Sequence, residues 1–231
     1  MGTSFLKKEE RLRKQAEYAV ARQQKAREAA VQIPKFPTVQ DPDEILSLYM
    51  KKRSMLTTSD AASAYFHVGW RLRRWASKRG RDPYAIRQEA VELRKDVTSG
   101  APYMTSQCLA KSLLGAAYTR SADTIMISSL CEAAAVKASE LFTVREVSNC
   151  LYALGSLERA DAVLLPKLLS RVAAEAPMMH GIEMVMAANG LAQLRIAPPT
   201  ALAALSKAAI PKLDQFSGSE LAQVCRLAHP A

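Results

Sequence analysis

The chain has 231 residues, 49% hydrophobic and only 6% aromatic, with 32 Lys and Arg against 22 Asp and Glu and a net charge of +10. Half-apolar composition argues against a disordered chain, and no uncharged apolar run of about 18 residues is present to cross a bilayer. Its 39 alanines against 9 glycines favour helices over turn-rich β folds and phosphate-cradling glycine loops.

The charge is uneven, +9 over residues 1–100 and +1 over residues 101–231. A polyanionic partner is therefore expected at the N-terminal half. Residues 1–33 read as a basic helical arm. Residues 4–31 lack Gly and Pro, and Glu9 and Glu10 stand four positions before Arg13 and Lys14. The apolar stripe there (Leu12, Ala16, Ala19, Val20, Ala30) is thin. The arm is thus expected to lie on a partner or to project, with Arg11, Arg13 and Lys14 available for phosphates. It lacks a secretory apolar region, and Glu9, Glu10 and Glu17 are unlike an acid-poor transit peptide. Residues 34–42, with Pro34, Pro37 and Pro42, read as an extended linker into a helix capped near Asp43.

Residues 43–103 read as a divergent first repeat region with a helical unit starting near Thr58. Within it Arg71, Arg73, Arg74, Lys78, Arg79 and Arg81 fall in eleven residues, flanked by Trp70 and Trp75. Guanidinium groups grip phosphates bidentately and rings stack on unpaired bases, so this segment is the candidate RNA-binding site. The same residues also fit a solvated basic helix whose tryptophans are core, or a surface for an acidic protein.

Residues 104–231 carry a repeat. At a shift of 37, Val147 aligns with Met184 and Leu221, Leu154 with Leu191, Leu157 with Leu194, and Leu165 and Leu168 with Leu202 and Leu205. An earlier copy places Leu109, Leu113, Ile127 and Leu130 in core positions at a shift of about 38. Each unit predicts two amphipathic helices, and helix pairs that cannot bury both faces alone stack. The expected fold is an all-α solenoid with a long N-terminal helix, its last unit incomplete and continuing beyond Ala231. Ala187, Ala188, Gly190, Ala203 and Ala204 are expected to permit close helix approach. Glu146, Glu183 and Glu220 recur at 37-residue spacing and read as capping glutamates after Thr143 and Ser217 rather than as catalytic groups. Pro166 and Pro211 predict a kink or a late helix start.

Cys108, Cys131, Cys150 and Cys225 are too widely spaced for a zinc site and read as reduced, packed thiols of a reducing compartment. His67, His180 and His229 have no nucleophile or ligand at diagnostic spacing. No enzyme activity, metal, cofactor or small-molecule substrate is therefore expected.

The 37- to 38-residue period, the Leu151, Leu154, Leu157 series and the Leu165, Leu168 pair resemble the heptatricopeptide and octotricopeptide repeat proteins of organelles, and the related helical array of the Fas-activated serine/threonine kinase-like family. The resemblance covers roughly residues 104–231. It implies an organellar protein, most concretely of the mitochondrial matrix, acting on transcripts or within a ribosome. No pair of polar readers recurs, since Asn149 aligns with Lys111, Met186 and Gln223, so base-by-base decoding is not expected. The expected function is an RNA-associated mitochondrial ribosomal or ribosome-associated component. Its basic half would contact rRNA or an organellar transcript, and its repeats would contact other proteins of a large ribonucleoprotein. The alternative is a protein scaffold of another large mitochondrial complex, without RNA.

Overall fold

A computed structural model describes residues 35–79, 87–139, 141–220 and 222, with side chains omitted from Arg74 to Arg79 and at Gln215. Every element among these residues is helical. The α-helices are α1 (Pro42–Lys52), α2 (Thr58–Arg79), α3 (Gln88–Gly100), α4 (Ser106–Thr119), α5 (Thr124–Lys137), α6 (Val144–Ser156), α7 (Leu164–Glu175), α8 (Gly181–Gln193) and α9 (Pro199–Ala209). Helices α2, α4, α6 and α8 pack in sequence as one layer, and α1, α3, α5, α7 and α9 follow one another in the second. The result is an all-α, solenoid-like array whose buried residues from Phe36 to Phe216 form one continuous core. The expected arm, residues 1–33, lies outside the described residues.

The leucine pattern maps onto that core. Leu109, Leu113, Leu130, Leu151, Leu154, Leu168 and Leu191 are fully buried, and each such side chain contributes roughly 1.5–3 kcal/mol. Ala203, expected at a helix contact, instead faces solvent. The contact between α6 and α8 is made by glycines. A Cβ on Gly155 would lie 2.5 Å from the Gly190 carbonyl oxygen, and one on Gly190 would lie 2.5 Å from the Leu151 carbonyl carbon.

Helix ends follow local chemistry. The Thr143 hydroxyl accepts from the Glu146 amide while the Glu146 carboxylate accepts from the Thr143 amide at 2.7 Å. Ser217 and Glu220 repeat the arrangement, and Glu183 accepts from the His180 amide at 2.8 Å. Helix α1 is capped by Asp41, near Asp43 as expected, because Pro42 presets the first helical residue and leaves Asp41 to accept from the Asp43 amide. Pro166 falls in the first turn of α7, where its missing N–H costs nothing. Pro211 follows the end of α9 and opens onto a 3₁₀ segment broken at Lys212.

Residues 35–41 are mostly exposed, with Phe36 and Val39 turned to the core. Phe36 is buried 6.4 Å from the Tyr49 ring, and Arg71 donates to the Pro37 and Val39 carbonyls. Helices α1 and α3 are clamped by Arg53, which donates to both Asp96 carboxylate oxygens at 2.6 Å and to Glu92 at 2.9 Å, while the Tyr49 hydroxyl donates to Asp96 at 2.5 Å. Burial alone would raise the Asp96 carboxyl, but the hydrogen bonds from Arg53 and Tyr49 outweigh it and hold it below its usual value. A carboxylate depressed in the folded state stabilises fully above the unfolded value of about 4, and that contribution disappears as pH falls through the lower native value. Asp96→Asn is therefore expected to cost about 1–2 kcal/mol at pH 7, allowing for the partial exposure of Arg53. Urea denaturation should find parent and variant converging toward pH 2.

A device the residue pattern did not suggest joins the second layer. Lys137 donates to the Met104 carbonyl, Arg171 to those of Ala138, Ser139 and Phe142, and Lys212 to those of Pro177 and Met179. Each cation satisfies carbonyls at the C-terminal end of the preceding second-layer helix or of the loop after it, offsetting its dipole. Met104, Phe142, Met179 and Phe216, at successive spacings of 38, 37 and 37, plug the core at the same joints.

Cys108, Cys131 and Cys150 are free and buried. Burial, followed by the nearby Asp161 carboxylate, pushes the Cys131 thiol up to about 12, and burial likewise raises Cys150. Both are expected to resist a thiol reagent such as an aromatic disulfide at pH 8 until the chain is unfolded, since the thiolate is the reactive species. Peptide mapping of labelled native protein checks this.

Candidate nucleic-acid interface

In a helix-turn-helix array the C-terminal ends of α4, α6 and α8 share one edge with the N-terminal ends of α5, α7 and α9. The three turns on this edge have one geometry. Arg120, Glu158 and Arg195, 38 and 37 residues apart, adopt left-handed backbone with φ of 50°, 51° and 55°. Their amides donate to Ala117, Gly155 and Ala192, and those of Ser121, Arg159 and Ile196 donate to Ala116, Leu154 and Leu191, which makes each turn a Schellman cap. Glycine is the usual residue at such a position, because a Cβ there costs about 1–2 kcal/mol.

These caps line a groove of about 990 Å³ that also receives Arg73, Tyr118, Tyr152, Ser156 and Gln193. The Ser156 hydroxyl donates to Gln193 at 3.1 Å, tying neighbouring units along the groove. Three arginines against Glu158 leave the lining cationic. Helix C-termini from one layer alternate here with N-termini from the other, and Asp123 and Asp161 occupy two of those N-termini. The dipoles largely cancel, so the side-chain charges decide the sign.

At one end of the groove Arg73 lies 3.1 Å from the Trp70 ring centroid, a cation–π contact. Trp70 stacks on Phe66 with centroids 6.2 Å apart and meets Tyr118 edge-on at 5.5 Å. Burial, then the neighbouring Tyr152, raises the Tyr118 hydroxyl, so it stays protonated beside Arg73. His67 sits next to Phe66, its Nδ1 without a hydrogen-bond partner among the described residues. Burial, then the charges of Arg71 and Lys111, push it toward the neutral form.

Of the residues singled out from sequence, Arg73 faces the groove, Trp70 belongs to the aromatic cluster at its end, and Arg71 turns to the Pro37 to Val39 backbone. Arg11, Arg13, Lys14 and Arg81, and the side chains of Arg74, Trp75, Lys78 and Arg79, lie outside the described residues. Arg120, Arg195, Tyr118 and Tyr152 were missed. The two arginines left a signal, a helix end without glycine recurring two repeats apart, whereas Tyr118 and Tyr152, 34 residues apart, left none. Among the described residues no helix is long and apolar enough to cross a membrane, and no group of three His, Cys, Asp or Glu gathers as a metal site would require. No protein-family model matches the chain, and a search of curated proteins returned no match.

Proposed function

We propose that this chain is an RNA-associated structural protein of an organelle, a mitochondrial ribosomal or ribosome-associated component that holds RNA phosphates along the groove and proteins along its repeats. One observation carries the reading. Arginines occupy two of the three successive left-handed caps where glycine would relax the backbone, and with Arg73 they converge on a single open groove. Retaining charged side chains at strained positions points to a use for the charge. The groove suits a flexible strand gripped by its backbone, with Tyr118 and Tyr152 offering ring surface, rather than base-by-base decoding. The organelle rests on the resemblance of the repeat. Ultraviolet crosslinking of RNA to the full chain in isolated mitochondria tests the proposal. Arg73→Ala, Arg120→Gly and Arg195→Gly together should abolish most crosslinking, and unchanged recovery would overturn it.

A second reading, a protein scaffold without RNA, has its own support. Lys137, Lys167, Arg171 and Lys212 all donate to carbonyls of the array itself, so packing of the second layer accounts for these cations without RNA. Protein partners that remain bound after nuclease treatment and after the triple substitution would favour it.

A further inference from the structure

We infer that the edge opposite the groove is the docking surface for an acidic amphipathic helix of a partner protein. The inference deepens the protein-contacting part of the proposed function and does not depend on RNA binding.

Tyr103, Leu141 and Met178 are 80%, 61% and 62% exposed and stand 38 and 37 residues apart. Each immediately precedes one of the buried plugs Met104, Phe142 and Met179. They therefore mark the C-terminal ends of three successive second-layer units, α3, α5 and α7. Val136, one residue from the C-terminal end of α5, is also exposed. A recurring apolar row of this kind is more than the scattered exposure expected of a protein surface.

Charge and spacing select the occupant. The carbonyl following each exposed residue accepts from a cation, Lys137 at Met104, Arg171 at Phe142 and Lys212 at Met179. Glu175 pairs with Arg171 at 2.7 Å, whereas Lys137 and Lys212 have no carboxylate in contact among the described residues. Packed helices stand about 8–10 Å apart, and a helix rises about 10 Å in seven residues. A partner helix with an apolar residue every seventh position therefore meets Tyr103, Leu141 and Met178 in turn, and acidic neighbours complement the lysines. An extended strand covers the same interval in about three residues, which places successive contacts on opposite faces.

The test uses the full chain and a labelled synthetic helical peptide with leucines seven residues apart flanked by glutamates, followed by fluorescence anisotropy. Saturable binding is expected, weakened tenfold or more by Leu141→Glu or by replacing the peptide glutamates with lysines. An unchanged thermal melt shows that the exposed substitution leaves the fold intact. Absence of binding, equal binding of the lysine peptide, or insensitivity to Leu141→Glu overturns the assignment. Self-association of the chain abolished by Leu141→Glu would give the row to a second copy and overturn it too. RNA crosslinking should be unaffected by Leu141→Glu. Native partners that copurify regardless of this substitution would reject the row while leaving the protein-contacting function in place.

Discussion

Gly190→Ala is expected to lower the melting temperature by roughly 5–10 °C, the reverse of its effect on an exposed helix. In an unconstrained helix interior alanine gains about 0.5–1 kcal/mol over glycine through backbone entropy. Here the added Cβ lies 2.5 Å from the Leu151 carbonyl carbon and 2.8 Å from the Tyr152 amide nitrogen. Both atoms belong to the backbone of α6, which cannot rotate aside as a side chain would. Helices α6 and α8 must then separate, and overpacking of this kind costs about 1–3 kcal/mol or more. Gly155→Ala meets the Gly190 backbone and should behave alike. Gly218→Ala, with nothing within 4 Å, serves as the neutral control. Because each unit in such an array is held by its neighbours, the loss is local. Hydrogen exchange should accelerate in α8 and α9 before α4 and α5. A Gly190→Ala protein that melts with the parent would mean that the two helices do not approach this closely.

That glycine contact also shows where a sequence reading succeeds and stops. Gly190 could be placed at a close approach because its neighbours Ala187, Ala188 and Leu191 share its helix and its buried face, and the capping glutamates could be read because cap and glutamate are three residues apart. Ala203 defeated the same argument, since small size does not reveal which face a helix presents. Lys137, Arg171 and Lys212 were illegible for a different reason. Their partners are backbone carbonyls about 30 residues earlier, and a carbonyl carries no residue identity for a pattern to detect. The groove was half legible. The cluster of cations around Arg73 drew notice through local density, whereas Arg120 and Arg195 are isolated in the chain and line one groove only because the caps turn the same way.

Those caps permit a test that separates charge from stability. Arg120→Gly and Arg195→Gly each remove a guanidinium while relieving left-handed strain of about 1–2 kcal/mol, partly offset by the about 0.5–1 kcal/mol entropic cost of glycine. The double variant should therefore melt with the parent or a few degrees above it. Its affinity for single-stranded RNA should nonetheless fall. Each phosphate contact contributes about −0.7 to the slope of log K against log salt, so losing two makes the slope shallower by about 1.4 and lowers affinity near 0.1 M salt by roughly 25-fold. Glu158→Gly relieves the same strain at the equivalent position but removes the carboxylate from the groove, so RNA should bind more tightly. If backbone relaxation alone governed binding, all three substitutions would act with one sign. Opposite signs at positions with φ of 50°, 51° and 55° require charge in the groove to be the cause. Filter binding from about 50 mM to 300 mM salt reads both the slope and the direction. A double arginine variant with the parent's affinity and slope would sink the assignment of the groove to RNA.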